Sequence, residues 1–202
     1  MNHLEERLAG DLGPERLHKI QRIKIGIAGA GGLGSNCAFN LVRSGFRKLA
    51  IVDFDRVEPS NLNRQFYFAD QIGMAKVAAL KDNLLRINPD LELEIHQEKI
   101  EPETVASFFK DCAVVVEAFD RVEYKRLLVE HFWNSGKLVV AASGLGGWDD
   151  GDLIVTRRLR ENIFVVGDGV SEVDQQRPPL SPRVNITAAK QANLILNWAL
   201  KE

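Results

Sequence analysis

Two cysteines among 202 residues, Cys37 and Cys112, are too few for a disulfide framework or a four-thiolate zinc centre within one chain. They stand 75 positions apart and neither belongs to a Cys-x-x-Cys pair, so no structural zinc is expected. Histidine is nearly as scarce. The four, at 3, 18, 96 and 131, form no i,i+4 pair and no ligand cluster. Neither sign of charge is in excess: 26 Lys plus Arg against 28 Asp plus Glu leave a net charge of −2. That balance speaks against nucleic-acid binding through a broadly basic surface. No run approaches the ~20 apolar residues of a membrane-spanning helix, so no membrane association is expected. The start Met1-Asn2-His3-Leu4-Glu5-Glu6-Arg7 has neither the basic segment nor the apolar core of a secretory signal, and the expected location is the cytoplasm.

What is present is an ordinary globular mix, 45% hydrophobic and 27% charged. A chain of this size buries roughly 70% of the surface its unfolded form exposes, enough for a real core. Strand and helix patterns alternate. Residues 3–20 form an amphipathic helical pattern, broken near Gly13-Pro14 because proline fits a new helix start. The β-branched runs 23–28, 48–52, 91–96, 113–118 and 138–142 predict strands, the nearly all-apolar 113–118 and 138–142 being typical of a parallel sheet covered on both faces. Helices are expected over 33–44, 73–87, 102–109, 124–134 and 186–200, a hairpin over 153–166, and a long polar loop over 168–182. This rhythm predicts one domain over 1–202: an α/β Rossmann-like, doubly wound, mostly parallel sheet with helices on both faces.

Between the first strand and the next helix lies Gly29-Ala30-Gly31-Gly32-Leu33-Gly34-Ser35, which satisfies G-x-G-x-x-G at Gly29, Gly31 and Gly34. Such glycines permit a tight turn and close approach of the backbone to a ligand, and the helix N-terminus beyond offers N–H groups to an anion. Asp53, 24 residues after Gly29, ends the second strand, where an acidic residue accepts hydrogen bonds from ribose hydroxyls. The fingerprint alone does not distinguish ATP from NAD.

The next segment favours a triphosphate. Asp53-Phe54-Asp55 is followed by Ser60-Asn61-Leu62-Asn63-Arg64-Gln65 and by Lys76, more polar groups than a ribose needs. A leaving pyrophosphate does need cations: arginine binds two phosphate oxygens through its planar fork and lysine supplies a point charge. Asp120 follows the buried strand 113–118 at its carboxyl end, where open α/β sheets bind ligands, and can hold Mg²⁺ against phosphates. The competing roles are an N-cap for Asp120 and a solvated helix position for Lys76.

These motifs, together with Arg86-Ile87-Asn88-Pro89 and Ala118-Phe119-Asp120, make the chain resemble the superfamily that activates ubiquitin-like proteins. It is most similar to the bacterial sulfur-carrier adenylyltransferases of the ThiF type, in their short form. The resemblance implies ATP- and Mg²⁺-dependent adenylation of the C-terminal glycine carboxylate of a small ubiquitin-like sulfur carrier ending in Gly-Gly, ThiS-like, in thiamine biosynthesis. It implies that Gly29, Gly31, Gly32, Gly34, Asp53, Asp55, Asn61, Arg64, Gln65 and Lys76 bind the nucleotide. Asp53 would take the ribose, Asn61, Arg64 and Lys76 the phosphates, and Asp120 the Mg²⁺. It further implies a homodimer with the N-terminal helix 1–22 at the interface, in which an N-terminal arginine, Arg7 or else Arg16, reaches the partner's triphosphate.

Two departures stand out: longer relatives carry two zinc-binding Cys-x-x-Cys pairs, and some use a loop cysteine to link covalently to the carrier, whereas 168–183 contains none. Adenylation without a thioester step is therefore expected. The cluster Arg157, Arg158 and Arg160 is not assigned to the site, because Arg157 and Arg158 of one strand face opposite sides. The competing functions are an NAD-dependent oxidoreductase, a sister adenylating enzyme acting on another substrate such as a modified tRNA base, and a non-catalytic nucleotide-binding scaffold.

Overall fold

Parallel strands with both faces covered must be apolar throughout, and the runs picked out above behave accordingly: Ile25, Ile27, Leu49, Ile51, Val114, Val115 and Val116 are wholly buried. In the computed structural model, which describes residues 1–201, seven strands form one sheet: β1 (Lys24–Ala28), β2 (Lys48–Val52), β3 (Glu92–His96), β4 (Val114–Glu117), β5 (Leu138–Ala142), β6 (Val155–Arg160) and β7 (Ile163–Gly167). Their order is β3-β2-β1-β4-β5-β7-β6, parallel except for β6, which runs antiparallel to β7 as the expected hairpin. The order reverses between β1 and β4, the point at which doubly wound sheets open a crevice at the carboxyl ends of their strands.

Helices α1 (His3–Leu12), α2 (Pro14–Arg22), α3 (Gly32–Arg43), α4 (Lys76–Leu85), α5 (Val105–Phe109), α6 (Val122–Phe132) and α7 (Ser181–Lys201) cover the sheet. One face packs Leu41 of α3, Leu80 of α4 and Ile195 of α7 against Ile27, Ile51 and Val116. The other packs Phe109 of α5 and Leu128 and Phe132 of α6 against Val115 and Val139.

The break expected near Gly13-Pro14 divides the N-terminal segment into two helices, since Pro14 starts α2 with its missing N–H at a position that needs none. Other boundaries differ from the pattern. α4 begins at Lys76 rather than at Gly73, after the N–H of Lys76 bonds back to Asp55 O at 2.9 Å. α7 begins five residues before the expected 186, because Pro182 occupies its first turn, where proline is tolerated; the polar loop expected over 168–182 is shorter by two residues. The first helix is tied down: the Asn2 amide donates to Asn88 Oδ1 at 2.7 Å, and the buried Glu5 carboxylate lies 3.5 Å from Arg47. Among the described residues no helix is long and apolar enough to cross a membrane.

Candidate nucleotide site

The glycine loop leaves β1 with Gly29 at φ +99°, a conformation that L side chains rarely adopt. A Cβ on Gly34 would overlap the Gly29 carbonyl, so the last glycine of the motif lets α3 start directly against the turn. Gly34 thus shapes the loop without lining the cavity. Gly34→Ala is expected to push the turn out of register. ATP binding should weaken by more than tenfold and the melting temperature should fall; unchanged values in calorimetry and thermal melts would remove this role.

Three side chains outside the expected set hold the loop. Tyr67 Oη donates to Ala30 O at 2.6 Å, Ser35 Oγ to Gly31 O at 2.6 Å, and Asn36 Nδ2 to both Gly32 O at 2.7 Å and Arg64 O at 2.8 Å. Asn36 couples the loop to the Arg64 segment. Its signal in the sequence is a polar residue on a helix face that is otherwise buried.

Asp53 closes the loop from β2. Its Oδ2 accepts the Ala30 N–H at 2.6 Å and its Oδ1 the Asp55 N–H at 2.8 Å, which leaves each oxygen a lone pair for a ribose hydroxyl. Burial raises the Asp53 pKa above the ordinary carboxylate value, with Lys76 and the two N–H groups opposing the shift.

Lys76 is buried, 6% exposed, and its ammonium lies 2.8 Å from Asp55 Oδ2. The solvated-helix alternative for Lys76 is thereby excluded. Arg64 is half-buried, its Nη1 donating to Ser60 O at 3.0 Å and Asn63 Oδ1 at 2.7 Å. Burial lowers its pKa and nearby Asp120 opposes that shift. Asp120 is exposed beyond β4, and α6 takes Arg121, not Asp120, as its N-cap, with no side-chain capping bond. The N-cap alternative for Asp120 therefore fails.

One cavity of about 820 Å³ gathers Gly29, Gly31 and Gly32 with Asp53, Asp55, Arg64, Gln65, Lys76 and Asp120. Its far wall is aromatic, with Phe119 and Tyr124 centroids 5.5 Å apart and the Lys99 ammonium 5.6 Å from the Tyr124 ring. Behind two of its lining residues, a fully buried Glu117 accepts from Lys125 Nζ at 3.1 Å and from the Phe119 N–H at 2.7 Å.

Besides Gly34, two expected residues lie elsewhere. The Asn61 side chain accepts the Glu58 N–H at 3.0 Å and closes the 3₁₀ turn Pro59–Asn61, so its amide shapes the segment carrying Arg64 instead of facing the cavity. Arg7 sits on α1 with a side chain 79% exposed, paired at 2.8 Å with Asp11; it lies outside this chain's own cavity. Arg16 is likewise an exposed residue of α2.

The donors fit Mg²⁺ in the manner usual for that ion. Among the described residues no three His, Cys, Asp or Glu side chains gather as a metal cage. A single cavity carboxylate completed by phosphate oxygens and water is what Mg²⁺ ordinarily accepts.

Fold and cavity together define a doubly wound α/β protein with a loop-and-cation pocket at its switch point. The ThiF family model matches residues 4–175, and the chain belongs to the ThiF family. It is 38% identical over 155 residues, 76% of its length, to SUMO-activating enzyme subunit 2 of Dictyostelium discoideum. It is 37% identical over 142 residues, 70% of its length, to the adenylyltransferase and sulfurtransferase UBA4 of Candida glabrata. The chain spans 23% and 32% of those two proteins. In fold it is similar to the E. coli tRNA N6-threonylcarbamoyladenosine dehydratase TcdA in complex with ATP, with TM-score 0.83, 22% identity and coverage of 97% and 91% of the two chains. It is also similar to E. coli MccB with ATP, with TM-score 0.75, 19% identity and coverage of 100% and 64%.

Proposed function

We propose that this chain is an ATP-dependent adenylyltransferase that activates the C-terminal glycine carboxylate of a small ubiquitin-like sulfur carrier of the ThiS type, in thiamine biosynthesis. The observation that carries the reading is the single cavity in which the glycine loop, Asp53, Arg64, Lys76 and Asp120 converge. Membership of the ThiF family supports it, as do relatives named for activating ubiquitin-like proteins and a similar fold solved with ATP.

A carboxylate oxygen of the carrier attacks the α-phosphorus of ATP, the bond to the bridging oxygen of the β-phosphate breaks, and pyrophosphate leaves with the electron pair. The acyl-adenylate remains. No proton has to move, which suits a cavity without histidine or cysteine among its lining residues. The protein's work is in-line alignment and neutralisation of the leaving charge. Asp53 positions the ribose, the loop N–H groups and α3 receive phosphate oxygens, and Arg64 and Lys76 face the departing pyrophosphate. Asp120 with phosphate oxygens would hold Mg²⁺, whose charge offsets that of the phosphates.

The proposed assembly is a homodimer with α1 and α2 at the interface, where the exposed Arg7 of one copy approaches the other's phosphates. The thiols take no covalent part: burial pushes Cys37 up to about 12 and Cys112 up to about 11, and neither lines the cavity. Sulfur transfer then falls to another protein.

The test is ATP–pyrophosphate exchange with Mg²⁺, with and without a carrier ending in Gly-Gly. Carrier-dependent exchange is expected. ATP binding without exchange for any such carrier would overturn the reading.

A further inference from the structure

A second concavity, about 1150 Å³, shares no lining residue with the nucleotide cavity. It lies at the edge of the sheet, between the β6–β7 hairpin, the outer face of α7 and the turn after α6. Its floor is apolar, with Phe164, Leu194 and Trp198 beside Trp133, which is 40% exposed. Its rim is basic: Arg158, Arg160, Lys190 and Lys201 stand against a single carboxylate, Glu161, in a chain whose net charge is −2.

The arginines are held open. Arg160 Nη1 donates to Trp133 O at 2.9 Å and Asn134 Oδ1 at 2.7 Å, with its guanidinium 5.6 Å from the Trp133 ring centroid. Arg158 donates to Arg160 O at 3.1 Å and Glu161 O at 3.0 Å and lies 5.8 Å from the Phe164 ring. Among the described residues no carboxylate pairs with either. Arg157, on the opposite face of β6, is spent on Gly167 O and Asp168 O. Arg158 and Arg160 are thus the pair that shares a groove, and two guanidinium groups fixed by carbonyls and rings are preorganised for carboxylates.

One chain segment borders both the groove and the nucleotide cavity. Phe164 lines the first and Gly169 the second, five residues further along the same chain segment, at most ~17 Å if fully extended. An extended protein tail of five or six residues spans that distance.

We propose that this groove docks the folded body of the carrier through an acidic face with an apolar centre, so that its tail reaches the nucleotide cavity. The inference rests on the function proposed above. A nucleic acid fits less well, since the basic rim is confined to one groove and the chain as a whole is slightly acidic.

The test uses the whole chain, a ThiS-type carrier ending in Gly-Gly, and the same carrier lacking those two glycines. Arg158→Glu with Arg160→Glu is expected to raise the KM for the carrier at least tenfold in pyrophosphate exchange. The KM for ATP and the kcat at saturating carrier should stay within twofold. Arg158→Gln with Arg160→Gln, which keeps donors at both positions, should give a smaller rise and guards against misfolding of the hairpin. By calorimetry the truncated carrier should bind the wild-type chain, more weakly as salt increases, and should lose binding to the Glu variant. If the wild-type chain gives no exchange but still binds the truncated carrier through the groove, the functional reading fails and the docking site stands. An unchanged carrier KM, no binding of the truncated carrier, or a groove that takes a short labelled single-stranded RNA in its place would overturn the proposal. Loss of self-association in the Glu variant with carrier KM unchanged would overturn it too and assign the groove to a second copy of the chain.

Discussion

Asp120→Ala is expected to lower carrier-dependent pyrophosphate exchange by roughly 10²–10³-fold, the scale for removing one preorganised electrostatic group, about 3–4 kcal/mol of barrier. ATP binding should weaken but remain measurable by calorimetry. Asp120 touches nothing that holds the fold together: it caps no helix, it is exposed, and it stands beyond β4 at the cavity edge. Its removal should therefore leave the melting curve almost unmoved, so that a loss of activity reads as a loss of chemistry. The dependence on Mg²⁺ is the sharper readout, since a variant without the carboxylate should need far more of the ion to reach its reduced maximum. Exchange at the wild-type rate would remove Asp120 from the mechanism, and a collapsed melting curve would make it a folding residue.

The two halves of the nucleotide site were not equally legible in the sequence. The glycine loop, Asp53 and the strands that carry them follow rules with fixed spacing: parallel strands covered on both faces are apolar runs, and G-x-G-x-x-G marks where the first of them turns into a helix. Asn61 shows where that logic stops. Spacing placed it within the polar segment before Arg64, but only coordinates show its amide folded back on the Glu58 N–H. The pair of the buried Glu117 with Lys125, which lines the cavity, was invisible for a related reason. Charges eight apart on a strand and the following helix look like surface charges until the sheet closes over one of them, leaving Glu117 with no exposure. The start of α7 was misplaced because Ser181-Pro182 suits a loop and a first helical turn equally well. Alternation along β6 places Arg158 and Arg160 on one face, but that this face meets α7 and the turn after α6 to form a groove depends on tertiary packing that spacing does not encode.

Lys76→Ala should cost turnover more than affinity. The ammonium is almost fully buried and lies 2.8 Å from Asp55 Oδ2, so in the absence of phosphate its charge is already balanced. Binding ATP redistributes that balance, and the contact strengthens as negative charge accumulates on the departing pyrophosphate. An interaction stronger in the transition state than in the ground state raises kcat, whereas one of equal strength in both only lowers KM. The expected result is a fall in kcat on the order of 10²-fold with only a few-fold rise in the KM for ATP. The fold should survive, because the Asp55 side chain left behind is 47% exposed and can be solvated, a loss of about 1 kcal/mol or less. Lys76→Arg tests geometry separately from charge. The longer, forked side chain keeps the cation but has no room in a position 6% exposed, and it should recover little of the rate. A loss confined to KM in the alanine variant would make Lys76 an anchor for the ground state, and the neutralisation of pyrophosphate would then rest on Arg64 and the loop N–H groups.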